Sequence, residues 1–600
     1  MGLENMSRIF KVGGASGFWG EAPSATAQLL SCDVDVIVYD YLAEITMSIL
    51  ARAKARNPEM GYAPDFLSAA IGPNLDAISA KGVKIISNAG GLNPMACGTK
   101  LRTMIADAGL SLKVAVVTGD DLTDRLQDYA DSGVTEMFSG APFPAIETIA
   151  SANAYLGAFP ITEALAQGAD IVITGRCVDS AVTLGACIHA FGWTPTDYDR
   201  LSGGALAGHI LECGPQATGG NFTDWEDVGE GMETIGYPIA EIASDGSFVV
   251  TKPEGTDGIV NIGTVSEQML YEIGDPQAYP LPDVICDFST VRITQEAPNR
   301  VKVTNATGHA APDGYKVSMT YQDGFRGIQL FGYYGADAPR KARMFAKATL
   351  NRATATLARA GFDGFTDTNV EILGTESQFG DLARREDTRE VTLKIAVSHP
   401  DKAGPAAMFK EAVGLALACP PGLCGLGGGL GKPSPVVRLF SFIASKETID
   451  VAVNLDDREI PVAIASGAPF DAASLPRPTA PAISEPGQIE VTLQQLAWVR
   501  SGDKGNKANV GVIARNPHYL PYIWDALNDT TLQAHYGHVV KGRIEKFLLP
   551  ESHAINFLMH DALAGGGIAS LRNDPQAKGF SQLLLDCPVR IPESMTKELK

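Results

Sequence analysis

Five segments of this chain set polar or glycine residues directly behind short apolar runs. They are Gly13-Gly14-Ala15-Ser16-Gly17-Phe18-Trp19-Gly20, Asp40-Tyr41-Leu42-Ala43-Glu44, Asn88-Ala89-Gly90-Gly91-Leu92-Asn93-Pro94, Gly119-Asp120-Asp121 and Thr174-Gly175-Arg176-Cys177-Val178-Asp179-Ser180. The carboxyls of Asp40, Glu44, Asp120 and Asp179 are suited to general acid–base work. Arg176 is suited to holding a carboxylate or phosphate, while Asn88 and Asn93 would orient a substrate carbonyl. In the first segment, Gly14, Ser16 and Gly17 would cradle a phosphate or coenzyme A through backbone N–H groups. Equally, those glycines let the chain turn beneath Trp19. Their spacing departs from G-x-G-x-x-G, so it gives no support for a bound dinucleotide. Any one of these residues alone is more often a helix cap or turn former. The functional reading rests on five such loops reaching one edge.

A second cluster, His209-Ile210-Leu211-Glu212-Cys213-Gly214, runs on to Asn221. If it is helical, His209 and Glu212 share a face at i,i+3. The imidazole beside a carboxylate would be a general base and Cys213 a thiol nucleophile. The alternative is a surface ion pair next to a buried cysteine that acts as a small hydrophobe. Near the C-terminus, Arg500-Ser501-Gly502-Asp503-Lys504-Gly505-Asn506-Lys507-Ala508-Asn509 packs cations and amides into a tight loop, from which Asp503, Lys504 and Asn506 are binding candidates. Gly565-Gly566-Gly567 followed by Arg572 is a second anion-binding candidate. The glycine run Gly425 to Gly431, with Lys432-Pro433, fails as a phosphate-binding loop because Leu426 and Pro433 occupy the required Gly and Ser/Thr positions. No G-x-S-x-G elbow or H-E-x-x-H helix occurs, and no metal site is expected.

The elements that would position these groups alternate in residues 1–235. Strand-like runs at Phe10–Val12, Val34–Asp40, Val83–Ser87, Leu112–Thr118 and Asp170–Thr174 are separated by helical stretches such as Leu42–Arg56, with Ile45, Ile49 and Ala53 as its apolar stripe. This predicts an α/β core with a doubly wound, mostly parallel sheet. Residues 236–470 read as an added α+β lobe, with strands near Val284–Phe288, Arg300–Val303 and Val317–Tyr321 and a helix over Ala338–Arg359. Residues 471–487, with Pro476, Pro478, Pro481 and Pro486, form a proline-rich linker. Residues 488–600 read as a small α+β unit with an antiparallel sheet. Its strands would be Ile489–Val499, Ala508–Ala514, part of Val539–Leu549 and one around Val589; its helices, Tyr519–Leu527 and His553–Leu563.

The composition excludes several classes. With 600 residues, two or three domains are expected. The 48 basic residues against 69 acidic ones give a formal charge of −21, which repels nucleic acid and anionic membranes. No apolar run is long enough to span a bilayer, and neither a signal-peptide pattern nor a myristoylation pattern opens the chain. Nine scattered cysteines without a Cys-x-x-Cys suit a reducing compartment. A cytoplasmic protein with a small-molecule substrate is expected, forming a homo-oligomer as enzymes of this size commonly do.

The strand-end motifs quoted above resemble the N-terminal domain of the acyclic terpene utilisation (AtuA) family. The tail Leu496-Ala497-Trp498-Val499-Arg500-Ser501-Gly502-Asp503-Lys504-Gly505-Asn506 is similar to the ferredoxin-fold domain that follows it in that family. The resemblance covers nearly the whole chain and implies a place in the breakdown of branched terpenoid acids through coenzyme A thioesters. It carries over no catalytic residues. The expectation is a hydratase, lyase or isomerase acting on an unsaturated branched acyl-CoA or acid without a redox cofactor; the alternative is a non-catalytic accessory or scaffold protein of the same pathway. A loop around Lys504 that faces the N-terminal cleft would supply positive charge to such an anionic ligand.

Overall fold

The structure, a computed structural model, describes residues 8–385, 387–425 and 429–599. Its centre is a run of apolar strands buried on both faces: β1 (Phe10–Gly14), β2 (Val36–Tyr39), β3 (Lys84–Ser87), β4 (Val114–Thr118) and, after an intervening β5 (Ile149–Ala154), β6 (Ile171–Thr174). Hydrogen bonding places them in the parallel order β1-β2-β3-β6-β4. Alternation along each strand feeds two cores. Ile37 and Tyr39 pack with Leu29, Leu50, Ile78 and Leu101 of the helices on one face. Val36 and Val38 pack with Ile161, Leu184 and Leu206 of the helices on the other.

The sheet continues past its parallel part. On the β1 side it adds β7 (Ile239–Ile242), β8 (Phe248–Thr251) and the strands Arg300–Thr304 and Arg292–Ala297, all antiparallel. Beyond β4 it adds Ala452–Leu455 and Arg458–Pro461, giving eleven strands in all. Strands within residues 239–251, 292–304 and 452–461 thus extend the first sheet, while Tyr279–Pro280, Ile285–Asp287 and Thr307–His309 form a small sheet of their own. A second sheet is built on the strand Gly314–Tyr334, which pairs with β5, Glu390–His399 and Ser434–Ser445 and is covered by helices Ala338–Arg359 and Ala403–Gly414. Because β5 leaves the first sheet for the second, it draws residues 153–155 to the edge where β4 and β6 end.

The last unit has a four-stranded antiparallel sheet in the order Ala497–Lys504, Lys507–Ala514, Ala554–Met559, Ile544–Leu549. It is docked rather than loosely tethered. Arg515 grips Asp224 with both guanidinium nitrogens at 2.5 and 2.6 Å, and Trp498 Nε1 donates to the same carboxylate. Asn509 and Asn556 donate to the carbonyls of Leu270 and Ile273. The proline-rich segment is itself pinned, by Arg477 on Asp275 at 2.8 and 2.6 Å.

Three local expectations are corrected. Segment 553–563 is no helix: Ala554–Met559 is a fully buried strand between two neighbours. A short apolar run reads alike in either state, and cross-strand pairing decides it. Residues 489–499 are not one strand, because a capping box between Thr492 and Gln495 starts a helical turn, Leu493–Leu496, before Ala497–Lys504 begins. Helix Glu44–Arg56 buries Met47, Leu50 and Ala51 and leaves Ile45 and Ile49 at 48% and 39% exposure. Two stripes with the same spacing compete on that helix, and the one with Met47 faces the sheet.

Candidate active site

The carboxyl ends of the parallel strands meet in one buried cluster. Asp40, just past β2, receives Asn88 Nδ2 at 2.5 Å and the backbone N–H of Leu42 at 3.3 Å, both on Oδ1. Asn88, past β3, accepts the Tyr41 N–H at 2.7 Å, so it fixes the β2 loop as well as the carboxyl. Burial raises the Asp40 carboxyl well above its ordinary range, and Asp179 and Glu212 push the same way against Arg176. Asp40 therefore holds its proton more tightly than an ordinary carboxyl, and both of its hydrogen bonds fall on Oδ1.

Arg176, past β6, is buried and lies 4.0 Å above the Tyr155 ring; its Nη1 holds Asp179 at 2.7 Å and the Cys177 carbonyl at 2.8 Å. Its backbone N–H donates to Asp120 Oδ2 at 2.8 Å, alongside Asn153 Nδ2 at 2.9 Å. A Cβ at 175 would lie 2.2 Å from Asp120 Oδ1, so any larger residue there would displace that carboxyl. Burial lifts the Asp120 carboxyl to about 7. Glu44 behaves in the opposite way. Burial would raise it, but Lys316 and Arg176 hold it at about 2, and Tyr155 donates to it at 2.9 Å.

The second motif joins the same cluster. Helix Tyr198–Leu211 ends at Glu212, and His209 Nδ1 meets Glu212 Oε1 at 3.0 Å. Burial alone would lower the imidazole, but Glu212 raises it. His209 Nε2 is buried without a hydrogen-bond partner among the described residues, as is Gln268 Oε1. Gln268 Nε2 donates to the His209 carbonyl. Cys213 is driven the wrong way for a nucleophile: burial, with Glu212 and Glu272, keeps it a thiol.

Lys504 arrives from the C-terminal unit. Burial disfavours its charge, but Tyr279, Glu272, Asp179 and Glu212 surround it and raise it well above the usual lysine range. Lys578 joins it by bridging Glu272 at 3.0 Å and Asp503 at 3.1 Å. The structure thus brings Asp40, Glu44, Asn88, Asp120, Arg176, Asp179, His209, Glu212 and Lys504 into one connected network.

Other candidates have structural duties. Asn93 caps helix Pro94–Asp107 and donates to the Pro58 and Met60 carbonyls. Gly14 and Gly17 admit the end of helix Tyr198–Leu211; a Cβ at 14 would lie 2.6 Å from Leu211 O, and one at 17 would lie 2.8 Å from Cys213 Cα. The next helix starts only at Ser24, so its N-terminus is not part of the glycine loop. Ser16 ties that loop to the Phe18 and Asp40 carbonyls. Asn506 binds Asp561 and the Leu563 and Gly565 N–H groups. Asn221 adopts left-handed backbone and offers its carbonyl to Arg500, which also holds Gln216 and stacks on Tyr271. Arg572 is occupied by the Ala562 and Val539 carbonyls. Lys507 lies over Phe138. Residues 426–428 of the second glycine run are outside the described residues.

Tyr155, Lys316, Glu272, Tyr279 and Lys578 complete the network and carry no local motif. Tyr155 and Lys316 arrive through the pairing of β5 with Gly314–Tyr334, a contact between residues far apart in the chain. The cluster reaches solvent through Glu44, Asp179 and Lys316, whose side chains are 27%, 27% and 29% exposed. Between Glu44, Tyr155, Arg176 and Ser318 there is a cavity of about 10 Å³, room for roughly one water.

No group of three or more His, Cys, Asp or Glu suited to a metal ion occurs among the described residues, and no helix among them is long and apolar enough to cross a membrane. No curated protein matches the chain. Two family descriptions do: the AtuA ferredoxin-like domain over residues 491–590, and the acyclic terpene utilisation family protein AtuA over residues 10–455. The chain is a member of the acyclic terpene utilisation AtuA family and carries the AtuA ferredoxin-like domain.

Proposed function

We propose that the protein is an enzyme of acyclic terpene utilisation that moves protons on an unsaturated branched acyl-CoA or its free acid, as a hydratase, lyase or isomerase. One observation carries this reading. Asp40 and Glu44, four residues apart, are pushed in opposite directions: burial raises Asp40 well above the usual carboxylate range, while Lys316 and Arg176 hold Glu44 at about 2. Sites built for acid–base chemistry separate paired carboxyls in this way. In this reading Arg176 and Lys504 hold the carboxylate or polarised carbonyl, and Asp40 donates a proton. His209, oriented by Glu212 through Nδ1, exchanges the second proton at its free Nε2.

The test is incubation of the full chain in D2O with a geranyl-type acyl-CoA and with the free acid, followed by mass spectrometry. Isomerase chemistry adds deuterium, hydratase chemistry adds water and lyase chemistry splits the chain. Asp40→Asn should lower whichever rate is seen by about 100-fold or more, and Lys504→Met should weaken ligand binding by about tenfold. The buried Arg515–Asp224 pair between the domains favours one second reading, an accessory protein whose charges only lock the two domains together. Absence of both turnover and thioester binding would replace the first reading with that one.

A further inference from the structure

Tyr39 and Tyr41 flank Asp40, and strand alternation turns them to the opposite face, away from the cluster. There they line a separate cleft of about 210 Å³ with Glu21 and Asp65. Its remaining wall is made of small residues, Ala15 and Ala70 among them, with Thr26 as its one further hydroxyl. Tyr39 is fully committed, because its hydroxyl pairs with Thr26 at 2.9 Å. Tyr41 is not. It is only 5% exposed, yet no described residue hydrogen-bonds its hydroxyl, while Asp65 and Glu21 both act on it electrostatically.

The two carboxylates are half used. Glu21 accepts the Ala22 N–H and the Tyr237 hydroxyl through Oε1 alone. Asp65 accepts Trp19 Nε1 through Oδ2 alone. Neither forms an ion pair with a described cation. Glu21 Oε2, Asp65 Oδ1 and the Tyr41 oxygen therefore remain as open acceptors on one cleft. A primary ammonium carries three N–H donors and no acceptor. Its charge would answer both carboxylates, and an alkyl stem would cover the alanine wall.

We propose that this cleft is a binding site for a primary ammonium on a short aliphatic stem, distinct from the strand-end cluster. A sugar or other polyol would use the same acceptors without needing their charge, and a divalent cation would not need the alanine wall.

Calorimetric titration of the full chain with n-butylamine at pH 7 tests the proposal, with 1-butanol, tetramethylammonium, glycerol and Mg²⁺ as comparisons. The amine should bind at least about tenfold more tightly than the alcohol, as expected when charge-assisted hydrogen bonds are gained. Tetramethylammonium, which has charge but no N–H, should fall between them. Tyr41→Phe removes only the hydroxyl and should weaken the amine by about three- to tenfold, and Asp65→Asn by about tenfold or more. The wild-type comparison of amine with alcohol needs no variant, so it stands even if a substituted chain fails to fold. Equal binding of amine and alcohol, preference for glycerol, or Mg²⁺ binding that displaces the amine and ignores Tyr41→Phe would each overturn the assignment.

Discussion

Asp120 takes both of its hydrogen bonds on Oδ2, from Arg176 N–H and Asn153, while burial lifts its carboxyl to about 7. In the unfolded chain the same group titrates near its ordinary value of 3.8. The folded form therefore binds the proton more tightly. Its contribution to stability is complete below pH 4 and is lost as pH rises through about 7. At about 1.4 kcal/mol per unit, the swing is of the order of 4 kcal/mol. Asp120→Asn keeps an oxygen for both donors and cannot ionise. Its urea midpoint should therefore fall less than the wild type's between pH 5 and pH 8, and parallel curves would show that Asp120 does not titrate in that window. Lys504 belongs to the same scale. As a turn residue it would be cheap to remove, but it faces Tyr279, Glu272, Asp179 and Glu212. Lys504→Met should cost roughly 2–3 kcal/mol by leaving buried carboxylates without their cation, and thermal unfolding reads that loss directly.

The first loop and the helix Tyr198–Leu211 meet with no side chain between them. A Cβ on Gly17 would lie 2.8 Å from Cys213 Cα and 2.9 Å from the Glu212 carbonyl, both backbone atoms that cannot swing aside. Gly17→Ala should cost about 1–3 kcal/mol and shift the His209–Glu212 pair, which a changed His209 titration by NMR would record. Much at this scale was readable in the chain. The five strands before the edge are within a few residues of their places, because runs buried on both faces leave only apolar residues. Asp40, Asn88, Asp120 and Arg176 follow from those strands, since each is the first polar residue past its end. Tyr155 and Lys316 were not readable, because they depend on β5 crossing to a different sheet. Asn93 illustrates the converse error: its place behind a strand suggested binding, and Pro94 beside it signalled the helix cap that it is.

At the scale of the whole chain, the two family regions meet through both apolar and polar contacts: Ile513, Leu549 and Ala554 join the first region's core, and a buried ion pair crosses beside them. Arg515 and Asp224, at 10% and 11% side-chain exposure, form that pair. Arg515→Ala should cost about 3–5 kcal/mol and separate one calorimetric unfolding transition into two, the C-terminal domain losing its dock first. A single sharp transition at the wild-type temperature would show that this pair is dispensable. Supply of Lys504 and Lys578 from the end of the chain also has a consequence in time. A ribosome adds roughly 5–20 residues per second, so Asp179, Glu212 and Glu272 emerge many seconds before the cations that neutralise them. During that interval the nascent first domain holds a cluster of carboxylates without its late partners and with less reason to close. Those carboxylates lack Lys504 and Lys578 until residues 504 and 578 have been made.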